Sequence, residues 1–161
     1  YMERQKCDYF QTGEYIYIAN EWININVSYM FNNPCWHIYT QNTNFLNLGF
    51  HKEEDDYFGL YLPYGDNYDY SAYRKSCFCN YKGYKFQCLG LTDDRIITLD
   101  PSIEYQTMSG DHAMHGYDPH LDIKESELDD IWEERTPIKG FKFDVDPIVY
   151  LKKDGVWLVE H

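Results

Sequence analysis

Alternation of apolar and polar residues in segment 23–31 constrains the fold more than any other feature of the sequence. The apolar positions of this segment are Ile23, Ile25, Val27, Tyr29 and Phe31, and the residues between them are mostly polar. Side chains two residues apart share one face of a β-strand, so the segment predicts a strand with one buried and one solvated face. Such strands are typical of antiparallel sheets.

Further short strands are predicted along most of the chain. They cover residues 14–18, 36–39, 45–50, 57–62, 84–89 and 95–99. Turn-forming clusters rich in Asn, Asp, Gly and Pro separate them, at 42–44, 63–67, 81–83 and 92–94. Short strands with turns every 8–12 residues indicate a mostly antiparallel, twisted sheet.

The last third of the chain has a different pattern. Residues 101–121 show no clear period and read as a long loop, and segment 124–135 reads as an amphipathic helix. Leu128, Ile131 and Trp132 fall at helical spacing in that segment, and Pro137 ends it because the residue before a proline avoids the helical region. Strands at 148–152 and 156–160 are joined by Asp154-Gly155, which predicts a terminal β-hairpin. The sequence therefore predicts an α+β fold, as a single globular domain over residues 1–161.

The charge of the chain is strongly negative. There are 27 Asp and Glu against 14 Lys and Arg among 161 residues, a formal net charge of -13. Direct nucleic-acid binding is not expected, because neutralising phosphates requires an excess of basic residues. Disorder is not expected either, because aromatics make up 19% of the chain and acidic disordered chains are poor in them.

The excess acid lies mainly in two segments. Residues 53–70 carry six acids and no Lys or Arg, and residues 118–134 carry eight acids against Lys124 alone. A solvated acidic face that aids solubility is one interpretation. The other is a surface for a basic partner, because Tyr is enriched at binding hot spots and a negative field speeds the capture of cationic proteins. The candidate partner-binding residues are Glu53, Glu54, Asp55, Asp56, Tyr57, Tyr64, Asp66, Tyr68, Asp69, Asp122, Glu125, Asp129, Asp130, Glu133 and Glu134.

These features predict a small acidic inhibitor that occludes a basic protein, as an immunity protein does with a nuclease toxin. No catalytic residue and no cofactor are predicted, because the sequence contains no recognisable catalytic signature. No apolar run approaches the ~18 residues of a membrane span. The five cysteines, an odd number, favour reduced thiols and a cytoplasmic location. The oligomeric state is left open.

Two alternatives remain open. Imidazole and carboxylate groups in the 110–120 loop could bind a divalent metal, as part of an enzyme or a metal-binding module, through Asp111, His112, His115, Asp118 and His120. A sheet with exposed aromatic rings could instead bind a glycan or a planar ligand, with Trp22, Trp36 and Trp157 on predicted strands.

Overall fold

The backbone is built almost entirely from antiparallel strands. A computed structural model describes residues 10–29, 32–100 and 120–160. Within these ranges 58% of residues are in strands and 8% in short 3₁₀ turns, and no helix reaches seven residues. The α+β prediction is therefore wrong, and the described part of the chain is a β fold. It has no helix long and apolar enough to cross a membrane.

The chain divides into two compact units, and each is described by itself. The first unit comprises Gly13–Arg74 and Thr136–Val145. Its strands are β1 (Gly13–Ile18), β2 (Glu21–Ser28), β3 (Cys35–Thr40), β4 (His51–Glu54) and β5 (Tyr57–Pro63). They lie in the order β1-β2-β3-β5-β4, and these neighbours pair antiparallel. The single domain over residues 1–161 stays a prediction.

The second unit comprises Lys75–Arg135 with described residues 10–12 and 146–160. Its strands are β6 (Ala72–Tyr81, which begins in the first unit), β7 (Tyr84–Leu91), β8 (Ile96–Asp100), β9 (Leu121–Lys124), β10 (Ile131–Pro137, which ends in the first unit), β11 (Ile148–Lys153) and β12 (Val156–Trp157). Strand pairing runs β6-β10-β11-β12 in one series and β6-β7-β8-β9 in another.

Each unit has its own hydrophobic core. In the first unit the inward residues of alternating strands, such as Ile16, Ile25 and Ile38, pack with Phe45 and Phe58. In the second unit the core contains Phe10, Cys77, Cys79, Phe86, Cys88, Ile97, Leu99, Ile123, Leu128, Ile131 and Leu151. The alternation that predicted β2 is only partly used for burial. Ile25 is buried, whereas Val27 and Tyr29 at the end of the run are exposed.

The predicted helix at 124–135 does not form. Its place is taken by the end of β9, a three-residue 3₁₀ turn at Glu125–Glu127 and the strand β10. Like charges four residues apart, as in Glu125/Asp129, weaken a helix, and the β-branched and aromatic residues Ile131 and Trp132 suit a strand. Apolar positions at 128, 131 and 132 are compatible with both structures, and strand pairing decides between them.

Two further segments differ from the sequence-based expectation. The predicted strand at 45–50 is mostly a 3₁₀ helix, Thr43–Leu48. The Asn42 side chain accepts a hydrogen bond from the Asn44 N–H at its start, and Gly49 ends it at φ +89°, a left-handed conformation that glycine adopts without strain. The longest described strand, β6, was not predicted as a strand.

Two-residue turns connect three of the hairpins. Ala19-Asn20, Lys82-Gly83 and Asp154-Gly155 join β1 to β2, β6 to β7 and β11 to β12, and both residues of each turn have positive φ. That geometry matches the twist of the paired strands. The terminal hairpin therefore forms as predicted, although its second strand contains only Val156 and Trp157.

Candidate functional site

A hollow of about 230 Å³ opens on the first unit, on the face of the sheet opposite its core. Its lining residues are His37, Tyr39, Glu53, Glu54 and Tyr57. They come from three adjacent strands, β3, β4 and β5. The name "hollow" is used below for this set of five residues.

Strand alternation explains the contribution of β3 and β5. Trp36 and Ile38 are buried in the core, so the residues next to them, His37 and Tyr39, point to the other face. In β5, Phe58 is buried and Tyr57 is exposed for the same reason.

A β-bulge explains why two consecutive residues of β4 both line the hollow. Lys52 pairs with Phe58 and Glu54 pairs with Tyr57, so Glu53 is an extra residue in the ladder. Neighbouring residues in a regular strand point to opposite faces, and a bulge changes the direction of a side chain. The bulge thereby allows both Glu53 and Glu54 to reach the hollow.

The Glu53 carboxylate is held in a fixed position. Its two oxygens each lie 2.9 Å from Nε2 of His37. An ionised carboxylate can only accept hydrogen bonds, so His37 Nε2 carries the proton and donates it. The carboxylate sits over Gly59 in β5, where an added Cβ would collide with Glu53 Oε1. Glycine at position 59 therefore provides the space in which this carboxylate rests.

Tyr61, which pairs with His37 across β3 and β5, also contacts this arrangement. Its ring stacks on His37, with ring centres 4.4 Å apart and planes 10° from parallel. Burial, the negative charge of Glu53 and a hydrogen bond to its carboxylate raise the pKa of Tyr61 above its ordinary value. The phenol therefore stays protonated and donates to Glu53, which receives hydrogen bonds from two side chains.

The rest of the hollow is open to solvent. Tyr39 is 42% exposed and Tyr57 is 38% exposed, and their rings meet edge to face with centres 5.9 Å apart. Glu54 is exposed and has no ion-pair partner in the ranges that the structure describes. Aromatic faces beside an exposed carboxylate attract cations, through the ring quadrupole and through charge. The hollow is suited to bind a positively charged group.

The predicted residues of the 53–70 segment divide between this hollow and its surroundings. Glu53, Glu54 and Tyr57 line the hollow, and Asp55 and Asp56 form the exposed turn beside it. The remaining four lie on the loop that follows β5. The Tyr64 ring contacts the Trp36 ring at a tilt, and the Tyr68 hydroxyl donates to the Pro63 carbonyl. Asp66 is exposed, and Asp69 pairs with Lys142.

The predicted residues of the 118–134 segment do not form one acidic face. Glu133 is 1% exposed and pairs with Lys75 and Arg135. Glu125 pairs with Lys152, and Glu134 pairs with Lys85.

The three aspartates of the same segment are closer to solvent. Asp122 accepts a hydrogen bond from Thr98, the Asp130 carboxylate accepts one from the Asp154 N–H, and Asp129 is exposed. A partner-binding role for this segment stays a prediction, and the helical face on which it rested is absent.

The predicted metal ligands lie mostly outside the described residues. Asp111, His112, His115 and Asp118 fall in the gap between 100 and 120, and His120 is exposed with Nε2 3.9 Å from Asp122 Oδ2. Within the described ranges no cluster of three or more metal-binding side chains occurs. The metal-binding alternative stays a prediction.

The cysteines of the second unit are packed in its core. Cys77, Cys79 and Cys88 have no exposed surface. Hydrogen bonds from Cys88 to Cys77 and Cys79, together with burial, raise the pKa of Cys88 well above its ordinary value. Cys88 is therefore a protonated thiol rather than a nucleophilic thiolate.

Of the three tryptophans considered for ligand binding, Trp22 is the one that faces solvent on the outer side of the first unit. It is 38% exposed, and its ring lies 5.0 Å from that of Tyr17 and 4.8 Å from that of Tyr73. Trp36 is in the core of the first unit, and Trp157 packs against the core of the second.

Comparisons with known proteins give no match. The chain fits no protein-family model, and searches of curated proteins and of solved structures return nothing similar.

Sequence reasoning missed the residues that complete the hollow. His37, Tyr39, Gly59 and Tyr61 were not among the predicted partner-binding residues. The available signal was the alternation in segment 36–39, which places His37 and Tyr39 on one face. The pairing of β3 with β5 and the bulge in β4 have no local signal.

Proposed function

We propose that this chain is a small acidic inhibitor of the immunity-protein type, which binds and occludes a basic protein such as a nuclease toxin. The hollow and the adjacent Asp55-Asp56 turn form the proposed contact surface. The observation that supports this proposal is the combination of exposed Tyr39 and Tyr57 rings with the exposed Glu54 carboxylate in one concave site.

Occlusion would follow from competition for cationic side chains. A nuclease holds phosphates with Lys and Arg, and the same side chains would be engaged by carboxylates and Tyr rings of the hollow. The net charge of -13 would accelerate the encounter, because complementary charge raises association rates more than it raises affinity. A cytoplasmic location is part of the proposal, since Cys35, Cys77, Cys79 and Cys88 are free thiols.

Reversing one charge in the hollow and one in the adjacent turn should abolish most of the binding. The variant is Glu54→Lys/Asp55→Lys, and the probe is an immobilised basic peptide that carries both Arg and Lys. We expect association to slow by about tenfold or more, because the local field changes sign where the partner docks. For the unchanged chain, affinity should fall as salt rises from about 50 to about 300 mM. Biolayer interferometry measures both effects.

The matched control is Asp93→Lys/Asp94→Lys in the exposed turn between β7 and β8 of the second unit. It changes the net charge by the same amount, so it should retain most of the association rate. Equal losses in both variants would show attraction to bulk charge rather than a site. A salt-independent complex would contradict the proposal as well.

A glycan-binding sheet is the second candidate, and it is favoured by the exposed rings of Trp22 and Tyr17, which contact each other, with Trp22 also meeting the buried Tyr73 ring edge to face. Aromatic rings on a sheet face can stack on a sugar ring. Saturable quenching of tryptophan fluorescence by a soluble oligosaccharide, lost in Trp22→Ala, would place this candidate first.

A further inference from the structure

We infer that the hollow binds the guanidinium group of one arginine side chain, as the central anchor of the partner. The inference rests on the proposed function and specifies the chemical group that the site recognises.

The rings provide a surface for a delocalised cation. Tyr39 and Tyr57 are both partly exposed and lie edge to face, with 65° between their planes. Such a pair offers the face of one ring next to the edge of the other. A guanidinium group is planar and weakly hydrated, so it can stack on a ring face with little loss of solvation.

The two carboxylates have different roles. Glu53 is engaged by His37 and rests over Gly59, so its negative charge is fixed at the inner wall. Glu54 is exposed and pairs in register with Tyr57, so its carboxylate lies beside a ring on which a cation would stack. The Glu54 carboxylate therefore accepts the hydrogen bonds of the guanidinium N–H groups. Glu53, held by His37, is a positioning residue that adds negative charge to the site.

The geometry favours arginine over lysine. An arginine can stack on a ring and at the same time donate two parallel N–H bonds to one carboxylate. A lysine ammonium is compact and strongly hydrated, and it lacks the planar surface that a ring face would cover. The hollow, at about 230 Å³, is a site for one side chain rather than for a peptide segment.

The test compares three glycine-flanked peptides that differ in one side chain: arginine, lysine or citrulline. Citrulline has nearly the shape of arginine but no charge. We expect the arginine peptide to bind about tenfold more tightly than the lysine peptide, with the citrulline peptide weaker still. Chemical shifts of the Tyr39 and Tyr57 ring protons in NMR titrations report the binding at the site itself.

Variants locate the effect. Tyr57→Leu and Glu54→Gln change exposed side chains, and each should weaken the arginine peptide about tenfold or more. Tyr29→Leu is the matched control, because Tyr29 is 75% exposed and lies outside the hollow, and it should leave binding unchanged.

Equal binding of the arginine and citrulline peptides would overturn the inference, and so would equal effects of Tyr57→Leu and Tyr29→Leu. Neither result decides whether the chain binds a basic partner, because that proposal is tested separately by Glu54→Lys/Asp55→Lys against its control Asp93→Lys/Asp94→Lys. Failure of the arginine site and failure of the proposed function are therefore distinguishable. Preference for lysine would also overturn the arginine assignment, while supporting a cation site.

Discussion

Replacing Glu133 by Ala is expected to lower the free energy of unfolding by about 3–5 kcal/mol, the cost of removing one partner of a buried ion pair. The Glu133 Oε1 atom lies 3.3 Å from Lys75 Nζ, and the two side chains are 1% and 0% exposed. The second oxygen of Glu133 lies 3.0 Å from Arg135. Without this carboxylate, the buried Lys75 ammonium loses a compensating charge. Urea unfolding followed by circular dichroism measures the change.

Two controls isolate the buried charge as the cause. Glu134→Ala removes the neighbouring acid, which pairs with the partly exposed Lys85 and accepts a hydrogen bond from the Trp132 ring N–H, and it should cost about 1–2 kcal/mol. The double variant Lys75→Met/Glu133→Leu removes both charges and should recover most of the loss. If Glu133→Ala lowered the free energy of unfolding no more than Glu134→Ala does, Glu133 would be solvated. That result would contradict its burial against Lys75.

The second large effect is the dependence of stability on pH that comes from Glu125. Its Oε1 atom accepts hydrogen bonds from Lys152 Nζ at 2.7 Å and from the Trp157 ring N–H, and Arg95 lies nearby. Burial acts to raise the pKa of Glu125, but the hydrogen bonds from Lys152 and Trp157 and the charges of Lys152 and Arg95 outweigh it and lower the pKa below its ordinary value.

The sign of the effect follows from the lowered pKa. The folded state binds the proton less readily than the unfolded state, so the interaction stabilises the protein above the ordinary value of 4.5 and is lost as pH falls through the folded value. We expect Glu125→Gln to lose about 1–3 kcal/mol at neutral pH and to approach the unchanged chain in stability at acidic pH. Urea midpoints measured from neutral to acidic pH test this.

Glu127→Gln is the matched control, because Glu127 is exposed and only two residues away. It should have little effect at any pH. A constant gap between Glu125→Gln and the unchanged chain across the whole pH range would contradict the assigned ion pair.

Local sequence patterns predicted β2 and the terminal hairpin correctly, but they did not predict the structure of segment 124–135. Alternation identified β2 over most of its length, and Asp154-Gly155 identified the terminal hairpin, because both signals depend on neighbouring residues. The 124–135 segment failed because Leu128 and Ile131 fit either period. Its strand is stabilised by partners that are distant in sequence, such as Lys75 for Glu133.

The sequence predicted only part of the candidate site, because local patterns identify only residues that are close along the chain. Glu53, Glu54 and Tyr57 are close in sequence, so a dense acidic and aromatic segment was enough to find them. His37 and Gly59 belong to other strands, and their relation to Glu53 depends on the register of β3, β4 and β5 and on the bulge. Long-range pairing of this kind has no signature in a single sequence.

A map of backbone amide shifts during titration with a basic peptide tests the central claim most directly. If a basic partner docks at the hollow, shifts should concentrate in residues 35–40 and 51–63 of the first unit. Residues 122–134 should shift little, because Glu125, Glu133 and Glu134 are engaged in internal ion pairs. Shifts that concentrate in 122–134 and leave the hollow unchanged would contradict the account.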